Sequence, residues 1–198
     1  MTIQERRERE RAARRQLIID TARKLAEDDG WPAVTTRRLA DCIEYSQPVL
    51  YSHFTSMEAI VAAVAVEGFA ELADDLHAAG AGRETVEQRL GGLATAYVEF
   101  GLSQPALYDA MFVQATDLAF GSAETPAQLR RAFGEMRSVI RASPGDIDPD
   151  ADTDTEVFWA ALHGLVTLAR SHRLRTESIG VHLTVLLERF TNLGIHRP

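Results

Sequence analysis

The stretch "TTRRLADCIEYSQPVLYSHF", residues 35–54, decides the fold class. Its first part has apolar residues at helical spacing behind Thr35 or Thr36, either of which can cap a helix. Its second part starts after Ser46, another N-cap residue, and accommodates Pro48 because the first helical turn does not use that N–H. Two short helices joined by "IEYS" predict a helix-turn-helix.

The second of these helices carries more polar and aromatic side chains than so short a segment can bury. We expect Val49 or Leu50, together with Phe54, to face inward. The outward residues are then Gln47, Pro48, Tyr51 and His53. In a helix-turn-helix the second helix enters the DNA major groove. There glutamine can pair with adenine, an apolar side chain can touch a thymine methyl, and Tyr or His can donate to phosphate.

The net charge of −8 argues against a nucleic-acid partner, but its distribution is uneven. The first 60 residues hold ten basic and ten acidic side chains, whereas the remaining 138 hold 11 and 19. Six arginines lie between Arg6 and Arg15. This Arg/Glu run is more typical of a solvated helix face with internal ion pairs, but it permits an arm that touches DNA.

The composition predicts a cytoplasmic protein. The hydrophobic fraction is 45%, and no apolar run approaches the roughly 18 residues of a membrane span. The charged N-terminus does not resemble a signal peptide. A single cysteine, Cys42, excludes a disulfide framework, and we expect it to be a small core residue.

Strand signals are nearly absent, and helical spacing recurs along the chain. The sequence therefore predicts an all-α fold of about nine helices, with a helix-turn-helix domain at 1–60 and a helical bundle at 61–198. An acidic loop is predicted at 143–152. No Gly-rich phosphate loop, nucleophile motif or metal-ligand spacing is present, so we expect no enzyme activity, no cofactor and no metal.

The segment "TTRRLADCIEYSQPVLYSHFTSMEAI" resembles the DNA-binding domain of the tetracycline-repressor (TetR) family of bacterial transcription regulators. The resemblance spans roughly residues 12–62, and its most specific element is "QPVLYSHF". It implies base-reading roles for Gln47 and Pro48 and phosphate-contacting roles for Tyr51 and His53. It also implies a base or phosphate contact for Arg37 and a place near the DNA backbone for Thr36, while Val49 lies within the same DNA-binding segment.

Two positions depart from the family pattern. Glu44 stands in the turn where the family usually has glycine, which predicts a strained or differently shaped turn. Met57 stands where the family usually has a phosphate-binding lysine, at the start of the helix that Thr55 and Glu58 predict to begin with a capping box. Arg14 and Arg15 could replace the missing contact, because phosphate neutralisation supplies much of the affinity for DNA.

The rest of the chain resembles a subgroup of the same family. "YVEFGLSQPALYDAMF" and "FWAALHGLVTLA" are similar to the signatures of TetR regulators with a Trp-x-x-x-His-Gly C-terminal domain. The resemblance implies a domain that dimerises and senses a small molecule. Aromatic residues and one histidine could line an apolar pocket or could simply be core: Tyr97, Phe100, Tyr108, Phe112, Trp159 and His163.

The last two helices have long apolar faces, and a pair from each of two subunits would build a four-helix bundle. The residues expected at this homodimer interface are Trp159, Leu162, Val166, Leu183, Leu186, Leu187 and Phe190. The sequence thus predicts a homodimeric repressor that binds a near-palindromic double-stranded DNA operator and is released by an apolar small molecule. The alternative is a helical dimer that binds a small molecule or a protein and has weak or lost DNA binding.

Overall fold

The computed structural model describes residues 2–142 and 151–192, and within them all regular structure is helical. The helices are α1 (Ile3–Asp29), α2 (Thr36–Cys42), α3 (Gln47–His53), α4 (Met57–Gly80), α5 (Val86–Ser103), α6 (Pro105–Phe112), α7 (Ala127–Ile140), α8 (Ala151–Arg170) and α9 (Ile179–Asn192). Short 3-10 helices span Trp31–Ala33 and Thr176–Ser178. The predicted all-α fold is confirmed. Most of the predicted acidic loop lies outside the described residues.

The chain divides into two compact units, each of which is made of two separate segments of the sequence. Unit 1 comprises residues 1–68 and 104–126, and unit 2 comprises residues 69–103 and 127–198. The sequence placed one boundary after residue 60. In the structure, α6 and the segment after it belong with the helix-turn-helix instead of with the C-terminal bundle.

Helix α1 is the longest element, and only its second half packs on a core. Its N-terminus is a capping box, in which the Thr2 hydroxyl accepts from the Glu5 N–H and the Glu5 carboxylate accepts from the Thr2 N–H. Gly30, in a left-handed conformation that suits glycine, ends it. Its buried residues are Ile18, Ile19, Ala22, Leu25 and Ala26. Leu17 is 42% exposed, whereas Ile19, two positions later, lies inside.

Polar contacts fasten α6 to α1 and to the 3-10 turn that follows α1. The indole N–H of Trp31 donates to the carbonyl of Ala106 at 2.7 Å. The Glu27 carboxylate accepts from the Leu107 N–H at 3.1 Å, at the N-terminus of α6 where amides lack helical partners. Arg23 donates to the Gln104 side-chain oxygen at 2.5 Å. These contacts explain why α6 belongs to unit 1.

Unit 2 is a helical bundle in which α5 packs against α7, α8 and α9. Its buried side chains include Leu90, Leu93, Tyr97, Met136, Phe158 and Leu162. The rings of Phe158 and Phe190 meet edge to face with centroids 4.9 Å apart, which joins α8 to α9. Arg131 of α7 pairs with Asp74 of α4 at 2.6 Å. The predicted helical body is therefore present.

Candidate nucleic-acid interface

The start of α2 places two neighbouring arginines, Arg37 and Arg38, in different surroundings. The Thr35 hydroxyl accepts from the Arg38 N–H at 3.2 Å, so Thr35 is the cap and Thr36 is the first helical residue. The Arg38 guanidinium pairs with the Asp29 carboxylate. Arg37 is exposed, as a DNA contact requires, and Thr36 is half-buried beside it.

The turn between α2 and α3 has a left-handed residue that is not glycine. Glu44 has a φ of 56°, a conformation that favours glycine. The Tyr45 N–H donates to the Ala40 carbonyl at 3.0 Å, which is the closing bond of a Schellman motif. The turn therefore has the geometry that a glycine would adopt, and Glu44 bears the strain that the sequence predicted.

Helix α3 divides most of its side chains as expected, but His53, predicted to face outward, is half-buried. Leu50 and Phe54 are buried, whereas Val49 is half-buried. Gln47 and Pro48, in the first turn, are exposed, and Tyr51 is 52% exposed. The Ser46 hydroxyl makes no cap hydrogen bond. The base-reading and phosphate-contacting residues predicted for this helix thus remain available to DNA.

Helix α4 starts differently from the prediction. Its first residue is Met57, and the Ser56 hydroxyl accepts from the Ala59 N–H at 3.2 Å. Ser56 is therefore the N-cap residue, and the predicted Thr55 capping box is wrong by one position. A hydrogen bond from Ser56 lowers the pKa of Glu58. The helix therefore begins with a half-buried methionine and an exposed carboxylate, without a basic residue for phosphate.

The basic stretch of α1 reaches the C-terminal end of α3. The Arg15 guanidinium lies over the Phe54 ring, 4.2 Å from its centroid. Burial lowers the pKa of His53 below its ordinary value, and the charges of Arg11, Arg14 and Arg15 lower it further. These arginines therefore sit close enough to act electrostatically on a predicted phosphate-contacting residue.

Cys42 is exposed at the end of α2, so the expectation that it is a core residue is wrong. The inward positions of this helix are taken by Leu39 and Ala40, and Ile43 covers the core beyond it. A seven-residue helix has a single inward stripe, and Cys42 is outside it.

The predicted pocket residues fall into both units. In unit 2 the Trp159 indole N–H donates to the Tyr97 hydroxyl at 2.8 Å, and the Trp159 and His163 rings are 6.5 Å apart. Phe100 is buried one turn from Tyr97. Burial lowers the pKa of His163, and the Arg170 charge lowers it further. Tyr97, Trp159 and His163 thus form one continuous polar-aromatic cluster.

The other two predicted pocket residues belong to unit 1. The rings of Tyr108 and Phe112, on α6, have centroids 4.7 Å apart, and Tyr108 is buried. No pattern in the sequence separates them from the aromatics of α5 and α8. Trp31, Glu27 and Arg23, which hold α6 in unit 1, were missed because their partners lie more than 70 residues away along the chain.

The predicted dimer residues are divided between core and surface. Leu162 and Val166 have no exposed surface with which to contact a second subunit, so they belong to the core of unit 2. Leu183 is also buried. Four residues predicted at the interface remain half-buried: Trp159, Leu186, Leu187 and Phe190. Among the described side chains of α8 and α9, the large apolar ones that are exposed are Val157, Leu168, Val181 and Val185.

Within residues 2–142 and 151–192, no single helix has the length and apolar character of a membrane span. Helices α3 and α4 taken together do meet these criteria, by length and composition only, with a bend of 55° between them.

Known proteins resemble both parts of the chain. The family model described as "Bacterial regulatory proteins, tetR family" matches residues 18–64, and the one described as "Tetracyclin repressor-like, C-terminal domain" matches residues 90–190. The uncharacterised HTH-type transcriptional regulator Rv0681 of Mycobacterium tuberculosis is 29% identical over 154 residues, 78% of this chain and 69% of the relative.

Two further comparisons agree. The uncharacterised HTH-type transcriptional regulator YobS of Bacillus subtilis is 30% identical over 106 residues; the match spans 51% of this chain and about half (52%) of that relative's length. A protein of unknown function from Rhodococcus sp. RHA1 has the same fold, with a TM-score of 0.72 and 27% identity over 92% of this chain and 95% of that one. The C-terminal match alone covers half of the chain. The chain belongs to the tetracycline-repressor family of bacterial transcription regulators.

Proposed function

We propose that the protein is a homodimeric repressor that binds a near-palindromic double-stranded DNA operator in the cytoplasm. The observation that carries the proposal is α3, whose Leu50 and Phe54 are buried while Gln47, Pro48 and Tyr51 are exposed. A glutamine and a proline in the first turn of a reading helix meet base edges first, and a tyrosine one turn later can donate to phosphate.

The proposed DNA-binding set adds residues of α1 and α2 to the reading helix. Arg37 is exposed beside the half-buried Thr36, and both precede the turn that presents α3. Val49 and His53 are half-buried on α3 itself. Arg14 and Arg15 are exposed on α1, where they supply positive charge that Met57 does not provide at the start of α4.

For the dimer, the structure favours a seam made from the exposed faces of α8 and α9. Val157, Gly164 and Leu168 lie on one face of α8, since they are separated by seven and four residues. The space around Gly164 is open, so a helix of a second subunit can approach its backbone closely. Val181 and Val185 give α9 a matching exposed stripe. Burying such stripes against a second copy would form a four-helix bundle.

We place the effector near the cluster of Tyr97, Trp159 and His163, on the helices α5 and α8. This cluster combines apolar surface with a few polar atoms, as small-molecule sites do, and so favours an apolar effector with a polar end. The ring pair of Trp159 and His163, followed by Gly164, also supports membership of the Trp-x-x-x-His-Gly subgroup. An effector bound here would lower operator affinity by favouring a different spacing of the two reading helices.

The test is DNA binding by the purified full-length protein. Fluorescence anisotropy with the DNA upstream of its own gene, and with a random pool containing palindromes, should give a complex that weakens as salt rises. Sedimentation should give a dimer. A Leu168→Glu/Val181→Glu variant should be monomeric and bind DNA weakly. The control, Val113→Glu, changes an exposed apolar residue of unit 1 and should leave both the dimer and the DNA affinity unchanged.

The competing function is a helical dimer that binds a small molecule or protein and has lost DNA binding. The absence of a basic side chain at Met57 and the strained Glu44 favour it. A protein that forms dimers but no salt-sensitive complex with any duplex of the pool would contradict repression and support this alternative.

A further inference from the structure

The first half of α1 is a helix with no core beneath it. Residues 3–17 are all exposed, and the first buried side chain is Ile18. Arg15 and Gln16 contact Phe54 and Glu67, so the free part is residues 3–14, which at about 1.5 Å per residue extends about 18 Å. Its helical form rests on local contacts, chiefly the Thr2–Glu5 capping box and a hydrogen bond from Gln4 to Glu8 of 3.2 Å.

The arginines of this segment are not spread evenly around the helix. Arg7, Arg11 and Arg14 are separated by four and three residues, and Ile18 follows four residues later, so all of them share one face. Ile18 is buried in unit 1, so the arginine face continues the packed side of α1. We call Arg7, Arg11 and Arg14 the arginine stripe. Arg6, by contrast, lies on another side and pairs with Glu10 at 3.7 Å.

The lower end of the stripe is fixed next to the reading helix. Arg15, beside Arg14, lies over the ring of Phe54, which is the residue that ends α3. The charges of Arg11 and Arg14 reach His53, whose pKa they lower together with burial and Arg15. The stripe therefore starts at the DNA-facing helix and continues outward from it along a helical rod.

We infer that Arg7, Arg11 and Arg14 bind backbone phosphates of the DNA that flanks the base pairs read by α3. The inference rests on the proposed function, and it extends the contact proposed for Arg14 further along α1, to Arg11 and Arg7. A rod of about 18 Å reaches along about five phosphates of one strand, which are about 3.4 Å apart along the axis.

Charge and shape favour DNA over a membrane as the partner of the stripe. Between Ile3 and Leu17 the only apolar residues are Ala12 and Ala13, so the segment lacks the apolar face that a surface-bound helix inserts into lipid. Its acidic residues are engaged within the helix: Glu5 in the capping box, Glu8 with Gln4 and Glu10 with Arg6. A row of cations at helical spacing suits a row of phosphates.

The experiment compares two double variants of equal charge in the full-length protein. Arg7→Gln/Arg11→Gln removes two members of the stripe, and Arg6→Gln/Arg9→Gln removes two arginines from other sides of the same helix. Glutamine is a good helix former, so both variants keep α1 helical, which circular dichroism checks. The wild type and each variant are titrated with two duplexes. The bare duplex is a selected operator alone, and the longer duplex has about one helical turn of DNA added at each end of that operator.

We expect the wild type to bind the longer duplex more tightly than the bare one. Arg7→Gln/Arg11→Gln should lose this gain in affinity for the longer duplex. In that variant the slope of log affinity against log salt concentration should become shallower by about 1.8 per subunit, since each phosphate contact contributes about 0.9. Arg6→Gln/Arg9→Gln should retain the gain. Equal losses in both variants, or no loss in either, would overturn the stripe.

The outcomes also separate this inference from the proposed function. A wild type that binds neither duplex contradicts DNA binding as a whole. Tight operator binding that is indifferent to Arg7 and Arg11 contradicts only the stripe. Binding to anionic phospholipid vesicles that is lost in Arg7→Gln/Arg11→Gln, with DNA affinity unchanged, would assign the stripe to membranes and overturn the inference.

Discussion

The indole N–H of Trp31 donates to the carbonyl oxygen of Ala106 at 2.7 Å, across 75 residues of sequence. Trp31 is buried directly after α1, and Ala106 lies in the first turn of α6. Together with the Glu27 and Arg23 contacts, this bond holds α6 against α1 and the 3-10 turn that follows it. Its removal should therefore loosen α6 specifically.

Trp31→Phe should lower the free energy of unfolding by about 1–3 kcal/mol, because the buried carbonyl of Ala106 loses its donor. Urea denaturation measures the loss, and hydrogen exchange should speed up at the amides of α6. Trp159→Phe is the matched control, since it removes the indole donor to Tyr97 in unit 2. Faster exchange in α6 from both variants would show that the effect is not local.

Glu44→Gly should raise the free energy of unfolding by about 0.5–1 kcal/mol, because glycine adopts a φ of 56° without a Cβ clash. The gain is limited by the extra freedom of glycine in the unfolded chain. Glu44→Ala keeps the strain and serves as control in the same urea titration. If alanine stabilised the protein as much as glycine, the cause would be the lost carboxylate and not the backbone.

Gln47→Ala and Tyr51→Phe should affect DNA binding in different ways. Losing the Gln47 amide should reduce discrimination at one base pair by about 1–3 kcal/mol. Losing the Tyr51 hydroxyl should weaken all sequences alike, by about 0.5–1.5 kcal/mol. Competition between an operator and its single-base variants distinguishes the two patterns, and a uniform loss from both changes would contradict the assigned roles.

Operator affinity should increase as the pH falls through 6.5, the ordinary pKa of a histidine such as His53. In the free protein the pKa of His53 is lowered by burial and by Arg11, Arg14 and Arg15, so the ring is neutral at pH 7. A phosphate beside the ring would raise that pKa, so binding takes up a proton and is favoured by acid. Anisotropy titrations between about pH 8 and 6 measure the slope.

His53→Gln should flatten this pH dependence, and an unchanged slope in that variant would rule His53 out. Folding sets the lower limit of the experiment. A lowered folded-state pKa means that the stability contributed by neutral His53 is complete above 6.5 and is lost as the pH falls through the folded value. Circular dichroism at each pH therefore accompanies the titration.

Met57→Lys should strengthen binding to every DNA sequence and steepen the salt dependence by about 0.9 per subunit, because it adds one phosphate contact at the start of α4. Met57→Gln, which adds a polar side chain without charge, should leave the slope unchanged. A steeper slope in both variants, or in neither, would mean that the first residue of α4 does not face the DNA backbone.

The sequence predicts the helix-turn-helix well because its signals are local. Thr35 caps α2, Pro48 lies in the first turn of α3, and Leu50 and Phe54 alternate with exposed neighbours over one helical turn. Errors of one position arise where two neighbours have similar chemistry. Ser56 caps α4 in place of Thr55, because both are hydroxyl residues that can accept from the first-turn amides.

The placement of α6 could not be predicted, because it depends on contacts between distant residues. Glu27 reads as one of several surface carboxylates on α1, and only the fold brings it to the N–H of Leu107. The same limit applies to the dimer residues. Helical spacing gives α8 several apolar faces, and burial against α5, α7 and α9 decides that Leu162 is inside while Leu168 is outside.

The interleaved order of the two units has a consequence for cutting the chain. Residues 69–103 of unit 2 lie between the two segments of unit 1. No single cleavage can release the DNA-reading part whole. A fragment ending at residue 68 would lack α6 and with it the partners of Trp31 and Glu27. A fragment ending at residue 126 would carry residues 69–103 of unit 2 without residues 127–198, which complete that bundle. A fusion that joins unit 1 to a different ligand-binding domain must therefore include two stretches of sequence, residues 1–68 and 104–126.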